Sequence, residues 1–331
     1  MKKLFFFVAF VAMSVVSVAQ VNQLVWANGR LLYGTPVESM DSLTYDEMLD
    51  VDTLHLLLPR TLVKVIHDTV YIHDTVYVTV PGGEDNPSAG IGTFSVSATK
   101  QVTFSKGNLQ YTQSTNTWSF AENQYDYLGE ANIAIDGDAL ADKVDLFGWS
   151  TSATNFGVNT STSYSDYSGS FVDWGTNQIG SDAPNTWRTL TFDEWYYLRY
   201  NRTNANDLVG VAQVNGVNGL ILLPDNWTCP AGVTFKSGFH SSYGVGYYAA
   251  YQTFTVDQWS ILEISGAVFL PAAGYRYGSN LNYVQYYGYY WSATEYNSDD
   301  AYGLGFYSGG AYMNGSYRSF GQSVRLVKDL Q

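Results

Sequence analysis

The sequence predicts an α+β protein with many short strands and two helices. Three observations support this class. The composition, with 28 Tyr and 31 Gly against 8 Pro, suits strands and turns. Short apolar runs alternate with polar loops beyond residue 92, and two helix-start signals interrupt them. Because 46% of the 331 residues are apolar and only 14% are charged, the chain can bury a core in one large domain with a smaller attachment.

Residues 1–19 have the pattern of an export signal. Lys2 and Lys3 form a basic start, an apolar run follows, and Ser17-Val18-Ala19 fits a cleavage site. We therefore expect an exported protein at the cell surface, in the periplasm or in the extracellular medium. No later stretch approaches the roughly 18 apolar residues of a membrane span, so none is expected.

Residues 20–62 are expected to form a small N-terminal β element. Leu24-Val25-Trp26 and Leu31-Leu32-Tyr33 flank Asn28-Gly29, a dipeptide typical of tight hairpin turns. This arrangement predicts a β-hairpin.

Residues 63–91 are expected to form an extended stalk and a linker. The stretch 63–80 contains a direct hexapeptide repeat that begins at His67 and again at His73, and an even period keeps both copies on the same strand face. Such a strand must pair with the N-terminal hairpin, pair with another copy of the chain or remain solvated, so self-association through the stalk is one expectation. Pro81 to Gly90 is rich in Pro, Gly and acidic residues, which is typical of a flexible domain boundary.

The stalk region also raises two questions of chemistry. His67 and His73 lack a third ligand nearby, which makes them a weak metal signal. Asp-[Ser/Thr]-aliphatic triplets begin at Asp41, Asp52, Asp68 and Asp74, and they resemble the acceptor pattern for O-glycosylation in some Gram-negative envelopes. Glycosylation is one interpretation. The alternative is that Thr and Val alternate because strands favour them.

The region 92–331 carries the strands and helices of the large domain. Thr191-x-x-Glu194 and Thr255-x-x-Gln258 are capping boxes that predict two helix starts, and Gly266 fits the left-handed end of the second helix. The predicted strands are Phe94–Ser97, Val102–Phe104, Asn108–Tyr111, Thr117–Phe120, Leu220–Leu223 and Ala267–Leu270.

Two groups of motifs carry a family resemblance over roughly 92–328. The stretch Arg188-Thr-Leu-Thr-Phe-Asp-Glu-Trp-Tyr-Tyr-Leu-Arg199 resembles a helix of the formylglycine-generating-enzyme-like branch of the C-type lectin fold. The C-terminal motifs Gly288-Tyr-Tyr-Trp-Ser-Ala-Thr294, Ala301-x-x-Leu304-x-Phe306 and Gly321-x-Ser-Val-Arg-Leu-Val327 are similar to the signature of exported bacterial proteins with the Fibrobacter-type major paralogous domain. The same signature occurs in variable proteins of diversity-generating retroelements. The resemblance implies a C-type-lectin-like domain whose final strands and loops present a ligand-binding face.

The sequence argues against several chemistries. The enzyme branch of that fold relies on paired cysteines, whereas Cys229 is the only cysteine and is expected to be a small apolar filler. His240 is the only histidine beyond the linker, and no G-x-S-x-G surrounds a serine. Asp299 and Asp300 offer oxygens suited to calcium but lack a spaced ligand set. We therefore expect no catalytic residue, metal or cofactor, and a net charge of −14 argues against nucleic acid as a partner.

The segment 296–320 is the strongest functional signal. Tyr, Gly, Ser, Asn and Asp make up 18 of its 25 residues, which is the composition of evolved paratopes. Alternation around Leu304 and Phe306 predicts that one strand face enters the core, with Tyr302 on that face, while the other stays available. Trp291 is expected to pack inside. The predicted contacts are Tyr296, Asn297, Asp299, Asp300, Tyr307, Tyr312, Asn314, Tyr317 and Arg318, the last able to pair with an acidic group.

These features favour an exported, non-catalytic, adhesin-like protein that binds a protein or glycan ligand on a cell surface. Two other functional classes stay open. One is an enzyme of the same fold with carboxylate chemistry that no motif reveals, and the other is a structural envelope protein. For the segment itself, the alternative is a tyrosine-rich sheet edge without any ligand.

Overall fold

The computed structural model describes residues 22–27, 30–36, 55–56, 92–135, 139–140 and 142–330. The chain divides into two compact units, Met1–Pro87 and Ser88–Gln331. The export-type segment, the stalk with its two histidines, the linker and the four triplets lie outside the described residues.

The first unit contains a hairpin at the place where the sequence predicts one. Strand β1 (Asn22–Ala27) pairs antiparallel with β2 (Arg30–Pro36), with a register irregularity after Val25. A short strand β3 (His55–Leu56) pairs with the other edge of β1, so the strand order is β2-β1-β3.

The described residues of the second unit form the remaining strands and three α-helices. The strands are, in chain order, β4 (Phe94–Ser95), β5 (Gln101–Phe104), β6 (Leu109–Thr112), β7 (Thr117–Phe120), β8 (Ala134–Ile135), β9 (Ala139–Leu140), β10 (Lys143–Val144), β11 (Val209–Val214), β12 (Val217–Leu222), β13 (Thr253–Phe254), β14 (Val268–Pro271), β15 (Tyr275–Tyr277), β16 (Asn280–Asn282), β17 (Tyr287–Glu295), β18 (Asp300–Tyr307), β19 (Gly310–Tyr317) and β20 (Val327–Asp329). The helices are α1 (Phe192–Tyr196), α2 (Gly246–Tyr251) and α3 (Val256–Ile264).

These strands form several small sheets, which confirms the α+β class. The strand orders are β13-β11-β12-β14, β17-β18-β19, β20-β5-β4, β10-β6-β7, β15-β16 and β8-β9. All pairings in the described part of the second unit are antiparallel except that of β11 with β13. Among the described residues, no helix has the length and apolar character needed to cross a membrane.

Both capping boxes are confirmed. Thr191 accepts from the Glu194 amide at 3.2 Å, and the Glu194 carboxylate accepts from the Thr191 amide at 2.9 Å. Thr255 and Gln258 repeat the exchange at the start of α3, and Gly266 follows this helix with φ +91°. Reciprocal bonds satisfy amides that the first helical turn leaves unpaired, so short helices can begin at these residues.

The expectation of two helices is corrected, because α2 is a third. It begins after Val245, whose side chain makes no cap hydrogen bond, so the sequence carries no capping box at this position. In addition, α1 continues into a π-helical turn, Tyr197–Asn201.

The sheet β17-β18-β19 is buried on one face. Tyr290, Leu304 and Phe306 lie in the main core, in a cluster with Trp195 of α1 and Leu220 of β12. A second cluster includes the buried Trp291, as the sequence predicts, together with Ala301, and it covers one end of the opposite sheet face; a third lies around α3. Burying each such large apolar side chain contributes about 1.5–3 kcal/mol, so the core fixes which face of the sheet points outward.

A tyrosine-rich surface on the outer face of the sheet

Strand register places a set of tyrosines on the outer face of β17-β18-β19. Tyr287 pairs with Tyr307, while Tyr289 and Tyr312 both pair with Gly305 from its two sides. Directly paired residues of antiparallel strands point to the same side of a sheet. These four rings therefore share a face opposite to that of Leu304 and Phe306. The predicted alternation of a core face and an available face is thus present in β18.

Glycine makes room for the rings at two positions. A Cβ atom at Gly305 would lie 3.0 Å from the Tyr312 ring, and one at Gly309 would lie 2.7 Å from the Tyr307 ring. Both rings therefore lie close against the backbone of the hairpin. Side chains at these glycines would push the tyrosines away from the sheet.

The rings contact one another continuously. The centroids of Tyr287 and Tyr307 are 5.5 Å apart, those of Tyr307 and Tyr312 are 6.1 Å apart, and Tyr287 stacks on Tyr289 at 5.8 Å. Tyr283 and Tyr243 extend the array at 5.3 Å from Tyr287 and 6.2 Å from Tyr307, and they are 55% and 67% exposed. We define the tyrosine surface as Tyr243, Tyr283, Tyr286, Tyr287, Tyr289, Tyr307 and Tyr312.

The tyrosine surface is uncharged. Burial, and to a smaller extent the neighbouring tyrosines, raises the pKa of Tyr287, Tyr289 and Tyr312, so their hydroxyls keep their protons at neutral pH. The segments 282–289, 303–316 and 241–250 that carry these rings contain no acidic, lysine or arginine residue. The surface can therefore offer ring faces, neutral hydroxyls and amides to a ligand.

The structure brings some predicted contacts together here. Tyr307 and Tyr312 belong to the tyrosine surface, and Asn314 shares the face of Tyr312 because it lies two residues further along β19. Tyr317 is exposed and contacts Phe320, whose ring stacks on Tyr275. Since Tyr275 also contacts Tyr289, Tyr317 is joined to the tyrosine surface through two intervening rings.

A second group of predicted contacts forms the turn before β18. The Asn297 side chain accepts hydrogen bonds from the amides of Asp299 and Asp300, both at 2.8 Å, and donates to the Asp300 carboxylate at 2.9 Å. The Tyr296 ring lies near Gly315 and contacts Tyr302. Asn297 and Asp300 thus organise a local turn.

Tyr302 requires a correction, because it is half-exposed and not a core residue. Its ring contacts Phe192 at 4.3 Å and Tyr296 at 4.7 Å. It shares the parity of Leu304 but lies further toward the strand end. There the Tyr302 ring contacts Phe192 of α1, and this helix covers the end of the sheet face only in part.

Arg318 also requires a correction, because it is not available to a ligand. Its side chain is 2% exposed, and the guanidinium donates to the backbone carbonyls of Asn297 and Gly169. It also lies 4.5 Å from the centre of the Trp149 ring and 2.7 Å from a Glu295 carboxylate oxygen. The Arg318 side chain therefore connects the loops at Gly169 and Asn297 to the end of the hairpin, and its guanidinium is not available as a donor to a ligand.

Other chemical candidates find no support in the described part of the chain. No group of three or more His, Cys, Asp and Glu side chains that could hold a metal ion occurs there. His240 Nδ1 accepts from the Ser242 amide at 2.9 Å, and its ring lies against Tyr247. Cys229 is exposed, which corrects its expected role as a buried filler. Two surface clefts of about 450 Å³ each lie around Asn215, and neither is lined by the tyrosine surface.

Sequence reasoning missed the part of the tyrosine surface outside 296–320. The run from Tyr283 to Tyr290 has the same tyrosine-rich character and was available as a signal. No local sequence signal marks Tyr243, because its loop reaches the hairpin only in the folded chain. There the Gly244 amide donates to the Ser308 hydroxyl at 3.1 Å.

Taken together, the geometry defines an α+β unit that presents a tyrosine-rich sheet face. Residues 257–327, which include β17, β18 and β19, match the family model of a domain of unknown function, DUF8237. No curated protein and no solved structure matches the chain.

Proposed function

We propose that the chain is an exported, non-catalytic, adhesin-like protein whose tyrosine surface binds a protein or glycan ligand on a cell surface. The observation that carries the proposal is that four tyrosines share one sheet face whose other face packs on the main core, and that three tyrosines from neighbouring loops contact them. Tyrosine provides amphipathic contact area at a low cost in conformational entropy, and rings that already contact one another are pre-organised.

Two further points support the proposal. The lectin-like motifs fall on elements next to the surface: the helix motif contains α1, and the C-terminal motifs lie in β17, in β18 and before β20. A C-type-lectin-like domain is therefore part of the proposal. Export is proposed from the signal pattern of residues 1–19.

The test is a binding screen of the full chain on arrays of glycans and cell-surface proteins. It compares wild type with a triple variant, Tyr243→Ala, Tyr283→Ala and Tyr307→Ala. We expect wild type to bind at least one array component and the triple variant to lose that signal. Equal binding by both proteins, or no binding by wild type, contradicts the proposal. Turnover of a small substrate by the same protein supports the enzyme class.

A further inference from the structure

Three cationic or proton-donating side chains lie on aromatic rings near the turn between β18 and β19. Arg199 lies 4.6 Å from the centre of the Tyr200 ring and 5.2 Å from that of Phe239. Lys236 Nζ lies 3.9 Å from the centre of the Tyr251 ring, and the His240 ring contacts the same tyrosine. We define the basic rim as Arg199, Lys236 and His240.

Hydrogen bonds hold His240, and Tyr200 beneath Arg199, against the hairpin of β18 and β19. The His240 amide donates to the Ser308 carbonyl at 2.8 Å, and the Tyr200 hydroxyl donates to the Ala311 carbonyl at 3.0 Å. Tyr243, three residues after His240, contacts Tyr307 of the tyrosine surface. The loop that carries His240 and Tyr243 therefore connects the basic rim to the tyrosine surface around the hairpin turn.

The positive charges of the basic rim have no partner of opposite sign. The ion pairs within 4.0 Å among the described residues use Lys100, Arg188, Arg202 and Arg318, and none involves the rim. Arg199 Nε is buried without a hydrogen-bond partner, although Nη1 donates to Asn206. Aromatic faces hold these cations in position, which favours an anionic group supplied from outside.

The exposed rings of the described region indicate the rest of the ligand. Nine of its twelve exposed large hydrophobic side chains are tyrosines. A protein partner usually needs apolar anchors and the pockets that receive them, and a small molecule needs a concave site. Sugar rings instead offer C–H faces to aromatic rings and hydroxyls to tyrosine hydroxyls and side-chain amides. A neutral surface of tyrosine rings that lines neither of the two clefts therefore fits an extended polysaccharide.

We propose that the ligand of the tyrosine surface is an anionic polysaccharide whose carboxylate or sulfate groups bind the basic rim. This inference rests on the proposed function and specifies its ligand class. The sugar rings lie on the tyrosines, and the acidic substituents lie beside Arg199 and Lys236. The His240 ring contacts Tyr247 and Tyr251, and because its Nδ1 lies against the Ser242 amide, Nε2 is the ring nitrogen left for the same ligand.

The test measures binding of the full chain to matched polymers: dextran against dextran sulfate, and polygalacturonate against its methyl ester. Poly-L-glutamate tests whether an acidic polypeptide binds instead. The variants are Arg199→Gln with Lys236→Gln, the triple tyrosine variant and, as a control for loss of one charge elsewhere, Lys106→Gln. Arg199→Lys keeps the positive charge, and the thermal midpoint of each variant shows whether it still folds. Together they separate loss of charge from loss of folding.

We expect binding to dextran sulfate or polygalacturonate, depending on whether sulfate or carboxylate is preferred, and weaker binding to the neutral counterpart. The double charge variant should bind about tenfold more weakly or worse, and raising the salt concentration should weaken wild type in the same direction. Lys106→Gln and Arg199→Lys should bind nearly as wild type does.

Four results overturn the inference in different ways. Equal binding to charged and neutral polymers, unaffected by the charge variant, removes the anionic requirement but leaves the proposed function intact. Equal or stronger binding to poly-L-glutamate indicates an acidic protein partner instead. Binding to none of the anionic polysaccharides rejects this ligand class, whereas full binding by the triple tyrosine variant also contradicts the proposed function.

Discussion

Replacing Arg318 with alanine should destabilise the second unit markedly. The guanidinium is 2% exposed, donates to the carbonyls of Gly169 and Asn297, and lies over the Trp149 ring. A hydrogen bond to a charged group contributes about 1.5–3 kcal/mol, and a desolvated cation–π contact up to about 2 kcal/mol. Because these contributions are not fully additive, we expect Arg318→Ala to lower the free energy of unfolding by about 3–5 kcal/mol.

The assay is thermal and urea unfolding of the full chain. For a unit of this size, a loss of about 4 kcal/mol corresponds to a midpoint roughly 10 °C lower. Glu295→Gln is the matched control, because its carboxylate is 58% exposed and the ion pair with Arg318 should contribute less than about 1 kcal/mol. An Arg318→Ala midpoint within about 2 °C of wild type would refute this reasoning and return Arg318 to the predicted ligand contacts.

Three further predictions concern the glycines, a buried acid and the linker. Gly305→Ala should displace the Tyr312 ring and weaken ligand binding with little change in the thermal midpoint. Gly303→Ala should instead lower the thermal midpoint, because its Cβ would lie 2.6 Å from the Tyr290 carbonyl oxygen. Burial raises the pKa of Asp145 to about 6, so the unfolded chain loses this proton at a lower pH than the folded chain does. The free energy of unfolding should therefore fall by up to about 3 kcal/mol as the pH rises from about 4 to about 6. Urea titrations should show this slope in wild type but not in Asp145→Asn, and equal slopes would contradict it. Limited proteolysis should cut within 81–90 and release a stable fragment that begins near residue 90, while resistance of 63–80 would reject the spacer interpretation.

The elements that local chemistry determines could be predicted from the sequence. Thr191 with Glu194, and Thr255 with Gln258, start their helices because the capping partners are only three residues apart. The two different faces of β18 follow from the alternation around Leu304, because a core on one side leaves the other face outward.

The predictions that failed depended on distant partners. Arg318 in a Tyr/Gly-rich segment has the composition of an exposed contact, but Trp149 and Gly169 come from loops about 150 positions away. Tyr302 has core parity, yet whether the strand end is covered depends on where α1 packs. Tyr243 joins the tyrosine surface through a loop contact that no local pattern encodes.

The most direct test of the account is the affinity of the triple variant Tyr243→Ala, Tyr283→Ala and Tyr307→Ala for the array component that wild type binds most strongly, measured together with its thermal midpoint. Its control is Ile264→Ala, an exposed apolar side chain at the end of α3 that belongs to neither the tyrosine surface nor the basic rim. The account predicts that the triple variant loses at least about 2 kcal/mol of binding, or about 30-fold in affinity, with a midpoint near that of wild type, while the control binds normally. Unchanged affinity in the triple variant, or loss of binding in the control alone, would contradict the central claim.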